Sequence, residues 1–125
     1  MHALRRVHRS LVAGASVIDL HPVLPDQLVE AGGAPLGRID EHSFFSVVTA
    51  AESTLGRLLQ EGLFEFEAEL EFDYLERFER RRDLLDHLDE RDDCLVPQAL
   101  RRRIQRAQPP LDLRAHAVIR RFRAV

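Results

Sequence analysis

The sequence predicts an α/β domain, and three stretches carry that prediction. Residues 64–74 alternate without a break, with Phe64, Phe66, Ala68, Leu70, Phe72 and Tyr74 set against Glu65, Glu67, Glu69, Glu71 and Asp73. A strict period of two over that length is a strand with one buried apolar face and one wet face. Residues 111–120 repeat the pattern. Leu111, Leu113, Ala115, Ala117 and Ile119 share one face, Asp112, Arg114, His116 and Arg120 the other, and Val118 interrupts. Residues 40–61 have a helical period instead: Phe44, Val48, Ala51, Leu55 and Leu58 follow one another in steps of four and three.

The remaining elements fall between these. Leu4, Val7 and Leu11 mark a first helix over 3–11, and Gly14 can end it in a left-handed conformation. Ser16-Val17-Ile18-Asp19-Leu20 is short, nearly continuous in hydrophobicity and β-branched at its centre, as in a strand covered on both faces. Residues 22–39 hold three of the six prolines and three of the six glycines and read as a connector. Within it, Gly32-Gly33 can turn a small hairpin over 28–36, with Pro35 confined to an edge. Asp40 is placed to cap the long helix and Gly62 to stop it. Two further helices are expected, at 78–92 and from Pro97 to about 107, the second ended by Pro109-Pro110.

The acids of 64–74 repel one another unless something basic lies beside them. Arg114, His116 and Arg120 supply it, so strands 64–74 and 111–120 are predicted to be antiparallel neighbours.

Composition bounds the rest. The 125 residues are the length of one domain, with 45% hydrophobic and 31% charged residues, a globular mixture. A net charge of −3 gives no general attraction to nucleic acid or anionic lipid. All 18 basic residues are Arg, but the runs Arg80-Arg81-Arg82 and Arg101-Arg102-Arg103 sit among acids and read as solvated helix faces. The single cysteine, Cys94, excludes an internal disulfide and a Cys-based zinc cluster, fits a reducing cytoplasm, and has no sequence neighbour that marks it as a nucleophile. No apolar run reaches the roughly 20 residues of a membrane helix, and no signal peptide is expected, since Met1-His2-Ala3-Leu4-Arg5-Arg6 is not followed by a long apolar core. A cytoplasmic protein is expected.

The segments Ala3-Leu4-Arg5-Arg6-Val7-His8-Arg9-Ser10-Leu11 and Ser16-Val17-Ile18-Asp19-Leu20-His21-Pro22 resemble the second half of class I S-adenosylmethionine-dependent methyltransferases. There a helix ending in Arg-x-Leu leads through a Pro-Gly-Gly turn into the fifth strand, followed by a long helix, a strand and a final antiparallel strand. The order of elements over 3–122 is similar, although Val12-Ala13-Gly14-Ala15 keeps only one residue of the turn. The resemblance implies half of a Rossmann-like sheet, with strands in the order 16–20, 111–120, 64–74 and the 111–120 strand antiparallel. It implies an unpaired edge on 16–20, where a second copy or a complementary half would join. The cofactor half is missing. No Gly-rich turn follows a predicted strand, so S-adenosylmethionine is expected to bind only if a partner supplies that half.

Asp19 and His21 are the candidate substrate-side residues, two polar side chains on one face at the carboxyl end of a strand. Asp19 can orient His21, which can act as a base or simply bond the following loop. No histidine spacing marks a metal site, His42 reads as a surface residue, and Ser43, Ser46 and Ser53 lack a nucleophile turn. The acid row lacks the wrapping turn of a calcium loop. The chain is therefore read as a truncated or split methyltransferase-like protein, inactive alone. A homodimeric binding module is one alternative. The other is an unrelated small α/β domain with a pocket between the long helix and the sheet.

Overall fold

The computed structural model describes residues 2–125, with side chains from Ala3 onward. The described residues form four helices and a four-stranded, open, antiparallel sheet. In chain order these are α1 (His2–Ser10), β1 (Ser16–Ala31), β2 (Ala34–Arg38), α2 (His42–Gln60), β3 (Phe64–Phe78), α3 (Arg81–Asp89), α4 (Gln98–Arg106) and β4 (Leu111–Ala124). The strand order is β2-β1-β4-β3. Strands 16–20, 111–120 and 64–74 thus have the predicted neighbours. The sheet is antiparallel, however, and lacks the parallel order of a Rossmann-like fold.

The chain divides into two compact units built from interleaved segments. Unit 1 comprises residues up to His21, Ser46–Glu71 and Val118–Val125; unit 2 comprises Pro22–Phe45 and Phe72–Ala117. Each has its own core. Leu58, Phe64, Phe122 and Ala124 form that of unit 1, with Leu4, Val17 and Leu55 packed against it. Val29, Ile39, Leu84, Leu88, Leu100, Ile104, Leu111 and Leu113 form that of unit 2.

The expected connector is largely strand. β1 runs on through residues 22–31, and Gly32 and Gly33, with φ of 59° and 82°, turn it into β2. That is the anticipated hairpin, and Pro35 lies on β2, the edge strand of the sheet. Pro22 and Pro25 do not break β1 because the β1–β2 register begins only at Leu28↔Arg38, so no donor is required of them on that side. Asp40 stands one residue before the N-cap: the Glu41 carbonyl accepts the first helical bond, from Phe45 N–H, while Asp40 Oδ1 accepts the His42 N–H at 3.0 Å.

Burial corrects two expectations. Strand 16–20 is not covered on both faces, since Ile18 and Leu20 are 58% and 60% exposed. Nor is the apolar face of β3 buried: Phe64 is, but Phe66 and Leu70 are 53% and 63% exposed. Alternation identifies which side is apolar; it cannot say whether the chain has enough helix to cover it.

The charge match holds, with different partners at one end. In unit 2, Asp73 pairs with His116 at 2.6 Å and with Arg114 at 3.8 Å. In unit 1, Glu65 pairs with Arg123 and Glu67 with Arg121 at 3.6 Å. The β4 cations that meet the acid row are thus at even positions early in the strand and at odd positions late. The buried apolar residues switch the opposite way, from Leu111, Leu113, Ala115 and Ala117 to Val118, Phe122 and Ala124. One extra residue in a strand produces such a parity change. It turns Arg120 away from the acid row, contrary to the sequence expectation.

Candidate functional site

Arg120 enters unit 1 on the same side as Asp19 and His21. Alternation along Ser16–His21 sends Val17, Asp19 and His21 one way and Ile18 and Leu20 the other. From α2 comes Glu52, four residues after Val48 and three before Leu55, and so on the apolar stripe of the helix. These side chains meet. Arg120 Nη1 donates to Glu52 Oε2 at 2.9 Å, and Nη2 donates to Glu52 Oε1 and, at 3.2 Å, to Asp19 Oδ2. His21 places Nδ1 3.0 Å from Asp19 Oδ2 and Nε2 3.2 Å from Glu52 Oε1. The Arg120 guanidinium also lies over the Phe122 ring, 5.9 Å from its centroid.

The electrostatics follow from these bonds. Arg120 holds the Glu52 carboxyl below its ordinary range, chiefly through the hydrogen bonds and against the opposing effect of burial. In return Glu52, then Asp19, push the guanidinium further toward its charged form. Arg120 Nε is buried without a hydrogen-bond partner among the described residues.

Asp19, His21 and Glu52 of this cluster border a pocket of about 340 Å³ in unit 1. Val47, Val48, Ala51 and Leu55 of α2 form one wall. Val17, Ile18, Phe64 and Phe122 from the strands and Leu4 from α1 form the rest. A concave, mainly apolar space with a few convergent polar groups is the usual form of a small-molecule site.

Asp19 and His21, the two residues singled out by the sequence, are thus brought together. Glu52 and Arg120 were missed. An acid on the apolar stripe of α2 was the available signal for Glu52. The signal for Arg120 was the Val118 interruption, which marks where the strand changes parity. No metal pattern is visible in the sequence, yet donor atoms of Asp19, His21 and Glu52 lie within 4.8 Å of one another. The cation among them is Arg120.

The other sequence candidates have structural roles. Burial pushes the Cys94 thiol up, away from the reactive thiolate, and its Sγ lies 3.8 Å from the Leu88 carbonyl oxygen. A recess in unit 2 bordered by Asp26, Arg38, Asp73, Arg114 and His116 is charged, but Arg114 is bound to Glu30 at 2.5 Å and Asp73 to His116. No described helix is long and apolar enough to cross a membrane.

Comparison with known proteins adds no relative: no family model, curated protein or solved structure matches the chain. The functional reading therefore rests on the geometry.

Proposed function

We propose that the chain is the substrate-side half of a split or truncated methyltransferase-like protein, inactive in methyl transfer alone, whose substrate lies in the unit 1 pocket. One arrangement carries the reading. The last strand lies between β1 and β3, and Asp19 and His21, at the end of Ser16–His21, border an apolar pocket. The family's tail has that strand order. The antiparallel sheet confines the comparison to this tail, where each neighbouring pair includes the antiparallel last strand. S-adenosylmethionine would then bind only with a complementary chain.

The joint would be the outer edge of Ser16–Leu20. β2 pairs with β1 only over Leu28–Ala31, and Ile18 and Leu20 are exposed. An unpaired, apolar strand edge is a template for another strand.

Calorimetry with S-adenosylmethionine and light scattering on the same sample test the reading. The expected result is no S-adenosylmethionine binding and a concentration-dependent association through the edge. Leu20→Pro, which removes a backbone donor on the outer side of the strand, and Leu20→Lys, which adds a charge at an exposed position outside the pocket, should each weaken that association about tenfold, or about 1.4 kcal/mol. Binding of S-adenosylmethionine to the chain alone, or an association indifferent to both substitutions, contradicts it.

A further inference from the structure

We infer that the unit 1 pocket takes a small apolar molecule whose polar end is a protonated amine. The inference rests on the pocket reading above and adds the chemical class of the occupant. Val48, Ala51, Leu55, Phe64 and Phe122 give the occupant an apolar body. The polar end selects its charge.

Asp19 and Glu52 place two carboxylates there against the single guanidinium of Arg120. An anionic ligand would meet both carboxylates. Arg120 offers it little, because the guanidinium is not among the side chains that line the pocket and both its Nη atoms already donate to Glu52 or Asp19. An ammonium group meets the opposite situation. The contacts of Asp19 with His21 and with Arg120 both fall on Oδ2, which leaves Oδ1 as an acceptor for a new donor. Charge-assisted hydrogen bonds of this kind are the strong ones.

A divalent metal ion is a poorer occupant. Arg120 Nη2 lies 3.2 Å from Asp19 Oδ2 and 3.3 Å from His21 Nε2, between donors the ion would need. The ion would have to expel a positively charged side chain that is 13% exposed. An amine reaching Asp19 Oδ1 from the pocket displaces nothing.

Calorimetry on the full chain with four probes tests the inference: phenethylamine, phenethyl alcohol, hydrocinnamate and zinc chloride. Phenethylamine is expected to bind at least tenfold more tightly than the alcohol, and hydrocinnamate and zinc not to bind. Asp19→Asn should weaken the amine about tenfold and leave the alcohol unchanged, with circular dichroism checking that the variant is folded. Equal binding of amine, alcohol and acid overturns the amine assignment and leaves the pocket standing. Zinc binding that excludes the amine overturns it in favour of a metal centre. Failure of every organic probe to bind overturns the pocket reading itself, and this inference with it.

Discussion

Glu41→Ala is expected to destabilise unit 2 by about 3 kcal/mol, the low end of what breaking a buried ion pair costs. Glu41 is 1% exposed, and two groups depend on it. Its Oε1 accepts the Gln27 backbone N–H at 2.7 Å, and its Oε2 accepts from Arg91 Nη2 at 2.9 Å. Burial works against the charge of Arg91, and the bonds to Glu41 and Asp93 outweigh it. Alanine would leave a backbone donor unsatisfied and a partly buried guanidinium with Asp93, at 2.9 Å, as its remaining carboxylate. Glu41→Gln keeps the shape and an acceptor oxygen, so its cost should be roughly half. Urea denaturation of the two variants measures the difference. Equal stability of Glu41→Ala and the parent protein would show that the pair contributes nothing.

Arg120→Met is expected to cost about 1–2 kcal/mol at neutral pH, with little change in packing volume. The figure is set below the full value of a charged hydrogen bond because Glu52 is partly solvated. The pH dependence identifies the cause. Arg120 lowers the folded-state pKa of Glu52, so the unfolded chain binds the proton more readily. The stabilisation is fully present above the ordinary glutamate value, about 4.3, and is lost as pH falls through the lowered folded value. The gap between parent and Arg120→Met stability curves should therefore be wide at neutral pH and narrow in acid. A gap that does not change with pH would make Arg120 a packing residue only.

Much of the fold is legible in the sequence because period and burial agree there. Phe44, Val48, Leu55 and Leu58 place α2, and the acid row with its basic neighbours places β3 beside β4. Gly32-Gly33 places the hairpin. Errors arise where a local signal has a non-local answer. Pro22 and Pro25 look like breakers, yet β1 continues through them because β2 pairs only further along. Phe66 and Leu70 look like core, yet they remain exposed because alternation does not reveal what covers a face.

The site was half legible for the same reason. Asp19 and His21 lie two residues apart on one strand, so the period of the strand aligns them. Glu52 lies on a helix, and Arg120 lies beyond the parity change in β4. Both join the cluster only through the packing of α2 and β4 in unit 1.

The central claim is that this cluster borders a pocket made for a small ligand. Methyl-labelled NMR during a phenethylamine titration tests it most directly. The account predicts saturable shifts at Val17, Val48 and Leu55, with Leu84, Leu100 and Ile104 of unit 2 unmoved. Largest shifts among the unit 2 methyls, or no saturable shift at Val48 and Leu55, would contradict it.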